Sequence, residues 1–499
     1  GRYPWRFYPN AVRDTDPRYK EYKSNEANMF GRWRFERVLL DFKPDIVFDI
    51  RDYWMFEFEN VSPLRPYFHW AIMPTVDSAP QNEAWIETFM DADSVFTYSD
   101  WGGGVLKEQT GNKINYIGSA SPGVDLDVFK PYANKSQHRD AMGLETDINI
   151  LGTVMRNQKR KLYPDLFESF AKFIDICLEK GRKDLAKKTF LYAHTSYPDM
   201  GWNIPNLLKK YGVSHKVLFT YICHNCNSYF PSFFQDAKTV CRECKALSAG
   251  LVSTQKGLTR AQLADIYNLF DCYIQYSICE GFGMPQVEAI SCGIPLMSVD
   301  YSAMTEIVER SKGCLLKPKI KFLELETGAY RVYPDNDDTA NKLFKFFSLP
   351  QPIRAKNGFI ARQAAEKYYD WNTVAKIWEN HFDNIELKGL QGKWDIPQAV
   401  SEPPKQIPPE TEQFDNEDFV KWLMIDVLNE PEKIHGHVAL SMLRALNNGF
   451  EQQGRTIKPI TRQTVFDFIR VKALNKLHSE NARAGDLDLY EHDFIEVGQ

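Results

Sequence analysis

The chain has 499 residues, 43% of them hydrophobic and 25% charged, which is enough to bury more than one core, so two or three domains are expected. Its formal charge of −5 supplies no global attraction to nucleic acid or anionic lipid, although a local groove can still be basic. No apolar run reaches the roughly 18 residues of a membrane span and no secretory leader is recognisable, so cytoplasmic residence, in a cell or an infected host, is expected.

Residues 45–50, 66–72 and 94–99 read as strands with helices between them, an α/β alternation. Gly102, Gly103 and Gly104 read as a flexible turn before a helix at Val105. Residues 148–154 form a buried-strand pattern that opens into Met155-Arg156-Asn157-Gln158-Lys159-Arg160-Lys161, followed by the helical spacing of Leu166, Phe167, Phe170 and Phe173. A basic cluster at the C-terminal end of a strand is where an open α/β sheet binds ligands. A solvated basic loop is the plainer alternative.

Cys223-His-Asn-Cys226 and Cys241-Arg-Glu-Cys244 are two C-x-x-C knuckles separated by fourteen residues. This spacing suits a tetrahedral thiolate site, with structural zinc the usual occupant; a redox pair or two disulfides compete with it. The expectation is a zinc ribbon inserted at residues 221–250, with His224 a bystander. Tyr229, Phe230, Phe233 and Phe234 between the knuckles can stack on bases or pack the ribbon, and packing is the safer reading. Cys177, Cys272, Cys279, Cys292 and Cys314 lie in apolar contexts and read as buried thiols.

The most informative stretch is Glu280-Gly-Phe-Gly-Met-Pro-Gln-Val-Glu288, continued by Ala-Ile-Ser-Cys-Gly-Ile-Pro295. The strand-like residues 273–276 precede it and helical periodicity follows from Gln286 to Ser291. Gly281 and Gly283 permit positive φ and close backbone approach, while Pro285 suits a first helical turn. The helix N-terminus so formed attracts phosphate or sugar oxygens, and a carboxylate just before it can take sugar hydroxyl protons. A helix start with two solvated glutamates is the bland alternative.

The whole string, S-x-x-E-G-F-G-x-P-x-x-E-A-x-x-x-G-x-P, resembles the signature of retaining GT-B glycosyltransferases of family 4. The resemblance implies an α/β fold with two Rossmann-like domains facing a cleft, and a nucleotide-sugar donor. In its terms Glu280 touches donor-sugar hydroxyls, Glu288 binds the nucleotide ribose, and Gly281, Phe282, Gly283 and Met284 line the donor. The basic loop resembles the family's G-x-x-x-R-x-x-x-x-K, so Arg156 and Lys161 would hold the diphosphate; Lys159 and Arg160 receive no family role. His69 and Asp77 become candidates for the attacking hydroxyl, each also explicable as structural, with Asp52 a weaker third. Retention implies attack on the leaving-group face with a phosphate oxygen taking the proton, and no catalytic metal; a double displacement through Glu280 is the less favoured route.

The resemblance divides the chain into an acceptor-side domain at 1–135, a donor-side domain at 136–388 carrying the ribbon, a Pro-rich linker at 389–415 and a helical module at 416–499. The acceptor-side domain is expected to be shortened, because little room precedes residue 45 for the family's opening strand; a truncated chain is the other explanation. Tyr368, Tyr369 and Trp371 begin a helix resembling the family's closing helix, which crosses back to the first domain. The acceptor is expected to be a hydroxyl, with a hydroxymethylated base in DNA, as in phage-type modification, set against a polysaccharide or lipid-linked glycan. A GT-B-derived nucleic-acid-binding or structural protein without turnover is the reading from another class.

Overall fold

A computed structural model describes residues 5–387, 394, 448, 452, 470–471 and 473–479. Apart from residues 394, 448, 452, 470–471 and 473–479, the Pro-rich linker at 389–415 and the helical module at 416–499 lie outside the described residues. Among the described residues no helix is long and apolar enough to cross a membrane.

The first domain is a four-stranded sheet, β1 (Ile46–Asp49), β2 (His69–Ile72), β3 (Ser94–Thr97) and β4 (Tyr116–Ser119), all parallel and in chain order. The expected strands are there, with β4 in addition. The glycine triplet is not a turn. It lies inside the helix Asp100–Gln109, whose N-terminus is capped by the Ser99 hydroxyl on Gly102 N at 3.1 Å. Glycine is needed there for space: a Cβ on Gly103 would overlap the Tyr116 hydroxyl.

The second domain is built on β5 (Asn149–Val154), β6 (Thr189–His194), β7 (Val217–Cys223), β8 (Tyr229–Phe233), β9 (Thr239–Val240), β10 (Leu247–Leu251), β11 (Cys272–Gln275), β12 (Leu296–Val299) and β13 (Cys314–Leu316). Their order is β13-β12-β11-β5-β6-β7-β10-β9, with β8 also paired to β7. Strands β5, β6, β7 and β11 are almost continuously buried, as parallel strands covered by helices on both faces must be. One such cover is the helix Tyr163–Glu179, which buries Leu166, Phe167, Phe170 and Phe173 along one side. From β5 the chain steps outward to β6 and β7, and from β11 it steps the other way to β12 and β13. The order therefore reverses between β5 and β11, the topological switch point at which open α/β sheets form their crevice.

The last regular element before residue 387 rejoins the domains. Val124 and Asp370 form a parallel bridge, and the helix Trp371–Asn384 runs onto the first domain, burying Val374 with Met73, Phe96 and Ala120. Phe48 packs against Trp378 and Phe382, ring centroids 5.8 and 5.1 Å apart. Farther along, Leu474 and Leu477 are buried and Arg470 Nη2 donates to Asn60 O at 3.1 Å, so this short helical stretch lies on the first domain.

Candidate active site

The loops leaving β5 and β11 pair with each other. Leu162 N donates to Tyr276 O and Ile278 N to Arg160 O, both at 3.1 Å, and the Ser277 hydroxyl donates to Arg160 O. This pairing brings residues more than a hundred positions apart into one cluster at the crevice. Glu280 is its centre and is 5% exposed. Its Oε1 accepts from Lys161 Nζ and, at 2.8 Å, from Gln275 Nε2; its Oε2 accepts from Arg160 Nη1 at 2.8 Å. Lys161 is buried, whereas the Arg160 side chain is 42% exposed and forms the rim. Burial, and then the neighbouring Arg160 charge, push the Lys161 ammonium well below the ordinary lysine range.

The Glu280 backbone is pinned as well. The Ser302 hydroxyl contacts both Glu280 N and Glu280 O at 3.0 Å. Ser302 holds φ 55° and ψ −148°, a region that costs a side-chain-bearing residue about 1–3 kcal/mol and that persists at sites where the surroundings over-determine it.

The two glycines beside Glu280 do different work. Gly283 has φ +102° and turns the chain into the helix Met284–Ser291, with Pro285 in its first turn. Gly281 is required for space, since a Cβ there would run into Thr75 of the first domain. Phe282 is buried against Tyr369 at 5.8 Å, so its side chain belongs to the core, and Met284 packs on the same cluster. Glu288 Oε2 accepts from the Tyr267 hydroxyl at 2.7 Å, and burial raises its carboxyl above the usual range against the pull of that hydrogen bond.

Arg156 is not in the Glu280 cluster. It makes a two-bond pair with Asp199, Nε to Oδ2 at 2.9 Å and Nη2 to Oδ1 at 3.1 Å, on the loop that follows β6. That loop also braces the basic one: Asn157 is fully buried with its side chain on the Trp202 backbone, and Trp202 Nε1 donates to Lys161 O at 2.7 Å.

Across the crevice, the segments after β1, β2 and β3 supply Asp52, Thr75, Asp77 and Tyr98. Tyr98 is hydrogen-bonded to Thr75 and raised by burial, with Asp52 and Asp49 adding to the rise. Asp77 Oδ2 lies 3.1 Å from Arg331 Nη1 and 3.3 Å from Cys279 Sγ, so it touches the residue preceding Glu280. His69 is elsewhere. It is the first residue of β2, at the opposite end of that strand from Asp77, and its Nε2 bonds the Ser94 hydroxyl at 2.7 Å, which in turn bonds His381 Nε2 at 2.8 Å. Its place is structural, joining the closing helix to the sheet.

Residue-by-residue reading missed Arg160, Gln275, Ser302, Tyr267 and Arg331. For Arg331 a signal existed: alternating residues on either side of Thr327-Gly328 read as a hairpin. For Ser302 and Tyr267 no local pattern marks the contact.

The four knuckle cysteines converge beyond the C-terminal end of β7. Their sulfurs all lie within 4.8 Å of one another, with Cys223–Cys244 and Cys226–Cys241 each at 3.6 Å. Tetrahedral zinc with Zn–S bonds of about 2.3 Å separates its sulfurs by roughly 3.8 Å, so the donor set fits that ion in size and chemistry. His224 is outside the cluster. Two of the ribbon aromatics pack: Phe230 is buried and stacked on Tyr221 at 6.0 Å, and Phe234 packs on Tyr197 and Phe219, whereas Phe233 is exposed. Arg242 clamps the ribbon to the domain through Pro231 O and Met142 O.

Comparison with known proteins agrees with this geometry. Residues 235–336, which hold the second knuckle, Glu280, Glu288 and Arg331, match the family described as Glycosyl transferases group 1. A stretch of 116 residues is 28% identical to the GtfA subunit of the UDP-N-acetylglucosamine–peptide N-acetylglucosaminyltransferase of Streptococcus pneumoniae; it spans 22% of this chain and only 22% of that protein. Among solved structures, sucrose-phosphate synthase from Thermosynechococcus elongatus superposes with a TM-score of 0.53 at 16% identity, covering 75% of this chain and 82% of that one. Anabaena HepE in complex with UDP gives 0.51 at 13% identity, covering 71% and 82%. The fold is thus the GT-B arrangement of glycosyltransferases. Its second domain carries a glycosyl transferases group 1 segment.

Proposed function

We propose that this protein is a retaining glycosyltransferase that moves a hexose or pentose from a nucleotide diphosphate sugar to an acceptor hydroxyl. The observation that carries the reading is the caged carboxylate at the switch point: Glu280 held by Lys161, Arg160 and Gln275, directly before a helix N-terminus. A donor diphosphate entering this crevice competes with Glu280 for the two cations and frees the carboxylate for sugar hydroxyls. Arg156, released from Asp199, adds a third charge. As the C1–oxygen bond to the β-phosphate breaks, these cations and the helix N–H dipoles stabilise the departing diphosphate. The acceptor oxygen bonds to C1 on the same face, and its proton passes to a phosphate oxygen. A protein nucleophile is not required, because the acceptor oxygen attacks C1 directly while Glu280 holds the sugar hydroxyls.

Glu288, beside Tyr267, suits the nucleotide ribose. HepE binds UDP and the streptococcal relative is named for UDP-N-acetylglucosamine, so UDP-sugars are the first donors to try. Zinc in the four-cysteine cluster would be structural. Phe230 is buried and Phe233 is exposed, so the ribbon aromatics do not decide for or against base stacking, and a hydroxymethylated base in DNA stands beside glycan hydroxyls as an acceptor to be tested. The deciding experiment is turnover of UDP-, GDP- and ADP-sugars, followed by labelled-sugar transfer onto hydroxymethylated DNA, unmodified DNA and a glycan panel. A protein that neither hydrolyses nor binds any of these donors would overturn the glycosyltransferase reading.

A further inference from the structure

The strands β14 (Pro318–Glu324) and β15 (Ala329–Pro334) form an antiparallel hairpin outside the two larger sheets. β15 is wedged between the domains. Val332 N donates to Ile278 O at 3.2 Å on the donor side, and Tyr330 N donates to Ala79 O at 2.8 Å on the other, while the Tyr301 hydroxyl donates to Tyr330 O. Between those two attachments Arg331 turns inward, its side chain 9% exposed. Its Nε donates to Glu324 Oε2 at 2.7 Å within the hairpin, its Nη1 to Asp77 Oδ2 at 3.1 Å in the first domain, and Nη1 also contacts Cys279 Sγ in the second. A guanidinium offers five donors in a rigid fork, which lets one side chain satisfy three segments at fixed angles where an ammonium would not.

We propose that Arg331 is a positioning residue for the transfer reaction, holding Asp77 of the acceptor wall and the Cys279-Glu280 loop of the donor wall at one mutual setting, with the β14–β15 hairpin as the strap that carries it. The inference rests on the glycosyltransferase reading for its catalytic part. Glu280 follows Cys279 immediately, so a shift of the 277–279 segment moves the sugar-facing carboxylate. Misplacing a reacting group by about 1 Å can lower a rate by roughly a hundredfold. Arg331 also decides what Asp77 can do. Burial would raise that carboxyl, but the Arg331 charge and hydrogen bonds from Ser78, Arg331 and Cys279 outweigh it and keep it below the usual carboxylate range. Asp77 therefore stays ionised and accepts a hydrogen bond from the incoming hydroxyl, while the proton goes to the phosphate.

The test compares wild type with Arg331→Met and Arg331→Lys by donor hydrolysis across pH and by amide hydrogen exchange, which needs no substrate. Arg331→Met should lower kcat at least about tenfold with donor KM within about twofold, because the diphosphate and ribose contacts are untouched. It should also speed exchange in residues 73–80, and introduce an acidic limb into the pH profile as the unpaired Asp77 titrates upward. Arg331→Lys should remove that limb without restoring kcat, since it returns charge but not the fork. Should Arg331→Met not fold, Glu324→Gln carries the same measurements with a smaller expected loss. Unchanged exchange at 73–80 would overturn the interdomain contact. Faster exchange with kcat intact would overturn the positioning role. A wild-type protein that turns over no donor would overturn the glycosyltransferase reading and the catalytic role together, leaving exchange to decide the contact.

Discussion

Two loops of the same sheet, one leaving β11 and one leaving β7, satisfy their charges in opposite ways. At Glu280 the chain supplies its own counter-ions, two cations and an amide closing on one carboxylate. At Cys223, Cys226, Cys241 and Cys244 four sulfurs face one another within 4.8 Å, a donor set that could hold a metal ion. A loop that must bind and release a ligand benefits from an internal stand-in that the ligand displaces. A loop that must only stay folded can delegate its stability to an ion.

The sharpest test of this contrast is metal removal. Native protein should contain about one zinc per chain by elemental analysis, and Cys241→Ser should lose it and unfold the ribbon. Thiolate zinc contributes on the order of 10 kcal/mol to small metal-dependent folds, so the melting transition should fall markedly. A folded native protein without metal would erase the distinction. The β11 loop, by contrast, should keep its hydrogen-exchange protection under chelation.

Next in size is Glu280→Ala. Turnover should fall by roughly a hundredfold to a thousandfold, the scale for losing a preorganised transition-state contact. The substitution also strands Lys161, and an uncompensated buried charge costs about 3–5 kcal/mol. The single variant is therefore expected to be unstable as well as inactive. Glu280→Ala with Lys161→Met should recover most of the stability and none of the activity; recovery of neither would show that the cage is not the source of the strain. A smaller effect belongs to Tyr267→Phe, which removes one hydrogen bond to Glu288 and should weaken UDP binding about fivefold, for a bond worth roughly 1 kcal/mol.

Much of the donor side was legible before folding, because its chemistry is written in contiguous strings. Glu280 to Glu288 sits on one turn and one helix, Arg156 to Lys161 on one loop, and the knuckles announce their ligands by spacing. What stayed hidden depends on long-range register. Arg160 meets Glu280 only because two loops from opposite sides of the switch point pair backbone to backbone, and Arg331 meets Asp77 across 254 positions. His69 was misplaced for a related reason: a strand pattern locates a residue in a sheet without saying which end of the strand faces the crevice. A glycine triplet suggests flexibility, but it sits inside a helix, and at Gly103 the constraint is the volume beside Tyr116.

A pH-dependent effect joins the two loops. His194, at the end of β6, lies between the β5 loop and the ribbon strand and bonds the Thr220 hydroxyl through Nδ1 at 2.9 Å. Burial lowers its pKa from 6.5 to about 4, so the folded chain keeps it neutral where the unfolded chain would protonate it. The unfolded state then binds more protons between those values, and stability must fall as pH falls. The contribution is whole above pH 6.5 and gone below about 4. A shift of this size corresponds to at most roughly 3 kcal/mol, to be reduced for the partial exposure of the ring. His194→Gln should flatten the pH dependence of the denaturation midpoint between pH 6.5 and 4 while leaving the midpoint at pH 8 nearly unchanged. If the variant keeps the wild-type slope, the acid sensitivity comes from carboxylates, and the strands between the two loops play no part in it.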